Sequence, residues 1–212
     1  MAYYFKGAQI LAPYTIVSNQ PIYETDSVSL AKQRASQGVQ RWEISFDTLA
    51  TADNEADLLL GVIENLATAD TMVMPQLPSV EKGTDASDNL VLTLNAAAGD
   101  TTAQVTSDGY VKKGSFFKFS NHTKIYMLTS EIEVVEIVTT DAAGNETTTY
   151  QDLTQSFSFF PPLQTAVTTS HTMNVKSAAL FSYYRNIDNM TGLTFTDGVL
   201  SSPGLISLTE AI

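Results

Sequence analysis

GSFFKFSNHTKIYMLT, residues 114–129, decides how this chain is read. On its first arm Phe117 and Phe119 alternate with Lys118 and Ser120, and successive side chains of a strand point to opposite sides, so this arm is a strand with one buried face. Ser120-Asn121-His122-Thr123 supplies a turn, with His122 serving it. Residues 124–129 then return with the β-branched and aromatic content that strands favour. The segment is predicted to be a β-hairpin.

Working outward, residues 89–94, 101–106, 115–120, 124–129, 131–139 and 147–154 are short strand-like runs separated by Asn, Gly and Asp turns, among them DAAGN at 141–145. Short strands at this spacing mean a small barrel or sandwich. On the N-terminal side, residues 75–87, PQLPSVEKGTDAS, carry the Pro, Ser, Gly and charge of a connector, and a domain boundary is expected there. Further upstream, residues 41–48 alternate Trp42, Ile44 and Phe46 with Arg41, Glu43, Ser45 and Asp47, the pattern of a half-buried strand. One amphipathic helix is predicted over 53–68. Asp53 caps it, Glu55 and Asp57 favour the positive end of its dipole, and Ala56, Leu59, Leu60, Ile63, Leu66 and Ala67 recur at helical spacing. That helix packs on the strand through Trp42, Ile44 and Phe46. Residues 29–38 are polar, hold Lys32 and Arg34, and read as a mobile loop that is either solvated or a contact to a neighbouring subunit. The expected class is mainly β with one amphipathic helix (α+β), with a domain at 81–164 inserted into a discontinuous one formed by 1–80 and 165–212.

A chain of 212 residues makes one large domain or two small ones and can bury a core without staples. It has no cysteine, which excludes disulfides, thiolate metal sites and cysteine nucleophiles. No apolar run approaches the ~18 residues of a membrane span. The opening Met-Ala-Tyr-Tyr-Phe-Lys lacks a basic leader and a long apolar stretch, so synthesis in a cytoplasm is expected. The net charge is −12, and residues 1–80, 81–164 and 165–212 hold 4, 5 and 2 basic against 9, 11 and 3 acidic side chains. No segment is basic, which argues against sequence-specific binding to nucleic acid. The charge fits either a soluble acidic surface or a wall that repels DNA.

The sequence carries no Gly-rich phosphate loop, no Gly-x-Ser-x-Gly elbow and no His-Glu-x-x-His. Its two histidines, His122 and His171, lie far apart in sequence, so neither a metal site nor a Ser-His-Asp triad is expected. Glu131 and Glu133 share a strand face, as paired glycosidase carboxylates would, but so does any exposed acidic strand face. Asp53, Glu55 and Asp57 fit a helix start better than a calcium loop, which also needs a Gly and a terminal Glu. No catalytic, cofactor-binding or metal residue is therefore assigned.

The spacing Gly114-x-x-Phe117-Lys118-x-Ser120-x-His122-x-Lys124-x-Tyr126 resembles a hairpin in the inserted barrel of distal tail proteins, the baseplate hubs of long-tailed, siphovirus-type bacteriophages. AAAGD at 96–100, FSFFPPL at 157–163, residues 178–192 and the stretch 204–212 are also similar to parts of such hubs. The likeness covers roughly half of the chain. It implies a sheet-plus-helix hub domain interrupted by an OB-like barrel, and a non-enzymatic virion protein of the tail, assembled in the host cytoplasm. The implied assembly is a homo-hexameric ring joining the tail tube protein to the tail tip hub and its fibres or receptor-binding proteins, with Lys32 and Arg34 near the subunit contact or lumen. Small OB-like barrels often bind oligosaccharides. A carbohydrate-binding module is thus the alternative, with Phe116 and Tyr126 stacking on sugar rings if they face outward. A tail-borne glycosidase, or a tube or head-completion protein, remains open from sequence.

Overall fold

The computed structural model describes residues 2–26, 32–36, 38–49, 55–63, 68–133, 136–140, 146–150, 154–186, 194–197, 199–202 and 204–212. In chain order the elements begin with β1 (Tyr4–Phe5), β2 (Ala8–Asn19), β3 (Ile22–Asp26), β4 (Lys32–Ser36), β5 (Arg41–Leu49), helix α1 (Glu55–Ile63), β6 (Asp70–Val73) and helix α2 (Pro78–Glu81). They continue with β7 (Asn89–Leu92), β8 (Thr102–Thr106), β9 (Phe116–Phe119), β10 (Ile125–Leu128), β11 (Glu136–Thr140), β12 (Glu146–Tyr150) and β13 (Thr154–Phe160). Last come β14 (Thr172–Asn174), β15 (Leu180–Arg185), β16 (Thr194–Thr196), β17 (Val199–Ser202) and β18 (Ile206–Glu210). The chain is mainly β and divides into two compact units, Val73–Phe181 and the discontinuous Ala2–Met72 with Ser182–Ile212.

The discontinuous unit is built on a sheet of strand order β1-β2-β5-β18-β15-β6. β5 alternates as its sequence dictates, with Trp42, Ile44 and Phe46 buried between more exposed polar neighbours. Register carries the apolar face across the sheet, since Ile44 lies opposite Ile16 and Leu208, and Phe46 opposite Ile206. Each large side chain buried there contributes ~1.5–3 kcal/mol relative to exposure. Phe5 packs edge-on against Phe46 at 5.4 Å between ring centroids.

The helical prediction needs two corrections. The described part of α1 exposes Ala56 and Leu60, two of the residues expected to face inward, and buries Leu58, while Asp53, Leu66, Ala67 and the side chains of Leu59 and Ile63 lie outside what is described. Gly61 lies three residues after Leu58, on the same face. A Cβ on Gly61 would stand 2.5 Å from Lys6 Cγ, so the bare backbone there admits the Lys6 stem. Nor is there a single helix. Pro78–Glu81 forms a second short one inside the stretch read as a connector, with Val80 and Ala86 buried.

Residues 29–38 are not a loop throughout. Lys32–Ser36 forms β4 and pairs antiparallel with β3, because Lys32 and Arg34 both reach Glu24 across the hairpin, at 2.5 and 3.0 Å. Residues 29–31 and 37 lie outside the described residues.

The unit Val73–Phe181 is organised by a closed barrel of strand order β10-β13-β8-β7-β14-β9, with every neighbouring pair antiparallel. The 114–129 hairpin supplies β9 and β10 as predicted, with Tyr126 opposite Phe117. Inside, Phe117 meets Phe119, Tyr126, Phe157 and Phe159 at ring-centroid distances of 5.4–5.8 Å. Leu90, Leu92, Val105, Leu128 and Met173 join the same core.

Membership of the barrel differs from the sequence reading. The runs expected at 131–139 and 147–154 contribute β11 and β12, which among the described residues pair with each other as a two-stranded sheet. EIVTT and ETTTY are threonine-rich sequences, whereas TQSFSFF of β13 buries Phe157 and Phe159 on alternate positions. β13 and β14 complete the barrel instead. The unit is accordingly wider than 81–164 at both ends, since Gln76 and Val80 pack on one side and Thr172–Asn174 is a barrel strand on the other. Its two ends are tied together, Met74 N–H donating to Ala179 C=O at 2.9 Å.

Candidate functional site

The densest group of polar chemistry among the described residues lies at the β9–β10 turn, where aromatic strands drive the chain into a tight reversal. Asn121 donates from Nδ2 to the Ala166 carbonyl at 3.0 Å, which leaves Oδ1 to accept. His122 Nδ1 stands 2.8 Å from that oxygen and so carries a proton. Its Nε2 lies 2.8 Å from the Tyr126 hydroxyl, which in turn accepts the Gln164 N–H at 3.0 Å. The proton order that satisfies every group is Gln164 N–H to Tyr126 oxygen, Tyr126 O–H to His122 Nε2, and His122 Nδ1–H to Asn121 oxygen. Burial, then the charges of Lys118, His171 and Lys124, push the His122 pKa down from 6.5 to about 4, in keeping with a neutral ring. Both imidazole nitrogens are thereby engaged. The network latches the turn to residues 164–166.

Strand pairing places the surrounding cations. β9 pairs with β10 on one side and β14 on the other, so Lys118 lies opposite Ile125 and Asn174. Beyond the ladder, Ser120 N–H donates to the Thr172 carbonyl at 2.9 Å and Thr172 N–H to Ser120 Oγ at 3.0 Å. His171 is thus carried next to the turn that holds His122. Sequence reasoning treated the two histidines as unrelated. Only the pairing of β9 with β14 brings them together, and no local motif announces it.

The sugar-stacking assignment is corrected. Phe116 is 3% exposed and Tyr126 fully buried, so neither ring faces outward. Phe116, which sequence alternation would place opposite Phe117, is covered too. Lys32 and Arg34 are exposed strand residues paired to Glu24. Glu131 and Glu133 flank buried Ile132, which bridges to Val111. A hydrogen bond to Glu131, with burial and the two carboxylate charges, pushes the Tyr110 pKa up to about 12. Among the described residues no group of three or more His, Cys, Asp or Glu is placed to hold a metal ion, and no helix is long and apolar enough to cross a membrane.

No protein-family model matches the chain, and no curated protein matches it.

Proposed function

We propose that this chain is a structural subunit of a phage tail hub, a distal tail protein whose work is geometric. The observation that carries the reading is a sheet-based unit interrupted by a separate closed barrel, with the hairpin that resembles the hub family forming two adjacent strands of that barrel. The barrel differs from a five-stranded OB arrangement by one strand. Its kinship to OB-like inserts therefore rests on architecture and on the hairpin spacing.

In this reading the sheet unit closes a ring of six by head-to-tail contacts. Support for a lumenal role of the sheet comes from β5, whose apolar face is buried while Arg41, Glu43 and Asp47 stand on the other with one net negative charge. Carboxylates on such a wall would repel a passing duplex. The protein would join the tail tube to the tip and its fibres in the virion, without catalysis. Burial of Phe116 and Tyr126 removes the observation that favoured a carbohydrate-binding module.

Electron micrographs test this directly. Purified protein at high concentration should form six-fold rings, and labelled protein should mark a single collar at the distal end of the tail tube. Labelling along the whole tail or at the head, or rings of another symmetry, would refute the assignment.

A further inference from the structure

We infer that the β3–β4 hairpin is an arm that adds, edge-on, to strand β2 of a second copy of this chain. The inference rests on the ring reading above for the number of copies, and goes further in naming the two surfaces that meet.

The arm buries nothing in its own chain. Every described side chain of Ile22–Asp26 and of residues 32–35 is exposed, Tyr23 by 69%. Its two strands form a sheet of their own, apart from the six-stranded one. A two-stranded hairpin with neither face covered is marginal in water, so this one needs a surface to lie against. Register sorts its side chains. Ile22, Glu24, Asp26, Lys32 and Arg34 share one face, where both cations pair with Glu24, and the other face, with Tyr23, Thr25, Gln33 and Ala35, has no charge.

β2 offers the matching edge. β5 lines its inner side as far as Asn19, whereas β1 covers the outer side only at Ala8 and Gln9. Pro13 and the register shift between Leu11 and Thr15 guard the middle of that edge. Beyond them, no strand among the described residues pairs with the outer side of residues 15–19, and none of the five carries a charge to deter pairing. Val17 there is 47% exposed. Five residues of open edge equal the length of either arm strand.

The same chain does not fill it. Only Gln20 and Pro21 join β2 to β3, and a two-residue reversal is a type I′ or II′ turn with positive φ at its first residue, which Gln20 does not adopt. Pro21, its φ held near about −65°, excludes type I′ as well. The arm therefore runs on from β2 instead of folding back along it. Each copy thus carries one uncovered arm and one open edge, the two sides of a head-to-tail contact. Faces agree in that pairing. Ile16, half-buried opposite Ile44, stands on the apolar face of the sheet, and Val17, opposite Glu43, on the polar one. An arm that adds with Tyr23 on the side of Ile16 extends the apolar face with uncharged side chains and keeps its paired charges on the polar face.

The chain has no cysteine, so single ones report contacts cleanly. Val17→Cys and Ile22→Cys are made in separate full-length proteins, mixed and treated with a short bismaleimide, and the linked peptides are identified by mass spectrometry. Links should join one variant to the other. Val17→Lys, which puts a guarding charge on the edge, and Tyr23→Ala on the arm should each raise the concentration of half-association by at least about tenfold, read by light scattering. Both positions are exposed, so the Trp42-detected unfolding midpoint should stay unchanged. A protein that stays monomeric without arm-to-edge links, links only between two Val17→Cys chains, or association unmoved by Val17→Lys and Tyr23→Ala alike overturns the inference. Micrographs keep the two readings apart. Six-fold rings without arm-to-edge links sink the arm contact and leave the hub, whereas such links within filaments or rings of another symmetry support the contact and remove the hub.

Discussion

Gln76 offers the sharpest stability test, because it sits in sequence that reads as a solvated connector. It is 5% exposed, its Oε1 accepts the Phe116 N–H at 2.8 Å, and its Nε2 donates to the Phe116 carbonyl at 3.0 Å. β14 pairs with β9 at Phe119 and Lys118 and ends there, at Asn174. The carboxamide therefore takes the station that one more pair of residues in β14 would have filled. Gln76→Ala removes both bonds from a buried peptide group. At ~1–2 kcal/mol for each bond, including desolvation of the groups exposed to the loss, the barrel unit should be destabilised by ~2–4 kcal/mol. Urea unfolding followed by far-ultraviolet circular dichroism reports strands of both units, so the barrel unit's transition is the one that tryptophan fluorescence does not follow. Trp42, the one tryptophan of the chain, reads the other. Leu77→Ala, at an exposed neighbouring position, should change stability by under ~0.5 kcal/mol. If Gln76→Ala were as mild as Leu77→Ala, the side-chain ladder would be energetically empty and the connector reading would stand.

Phe117→Ala should cost ~3–5 kcal/mol in the same assay, since the ring is fully buried among four aromatics, while Lys118→Ala on the outer face should stay within ~0.5 kcal/mol. Equal losses would mean the strand register is wrong. His122 makes the barrel unit sensitive to acid: its folded pKa of about 4 lies below the ordinary 6.5, so its contribution is complete above 6.5 and is lost as pH falls toward 4. The full span would be worth at most ~3 kcal/mol, less for a ring that keeps partial solvent screening, and His122→Gln should flatten the unfolding profile between those pH values. In the sheet unit, burial raises the Asp70 pKa but is outweighed by the Lys6 and Tyr183 hydrogen bonds, the Thr71 N–H and the Lys6 charge, so its net pKa is lowered. Stability linked to Asp70 is therefore present above the ordinary carboxylate value and lost as pH falls through the lowered one, and Asp70→Asn should remove that dependence from the Trp42-detected transition.

Local alternation made β5, β9 and β10 legible, because a strand with one buried face writes its period into the sequence, as Trp42, Ile44 and Phe46 do. Long-range partners were not legible. Nothing near residues 172–174 says that this short, half-polar strand closes a barrel, and the choice was made by Phe119 and Met173 meeting across β9 and β14. α1 misled for a different reason: its leucines run consecutively, LLL at 58–60, so several faces satisfy the same periodicity. Among the described side chains it is Leu58 that is buried, on the face where the Lys6 stem lies over Gly61. For the candidate site, Asn121, His122 and Tyr126 belonged to the hairpin from the start. Lys118 was legible as outward-facing, but His171 and Gln164 entered only through tertiary pairing.

The bond from Met74 N–H to the Ala179 carbonyl makes the barrel unit a loop already fastened at its neck. Its two ends are held at the spacing of paired strands, so they can be joined by a tight turn and the chain reopened elsewhere, for instance at the exposed Gly99 with its left-handed φ of 94°. Such a circular permutant keeps every barrel pairing while reversing which strands are made first. A module fastened in this way can also be exchanged, over evolutionary time or at the bench, for any other whose ends arrive side by side. The host sheet then needs no rethreading to acquire a new appendage.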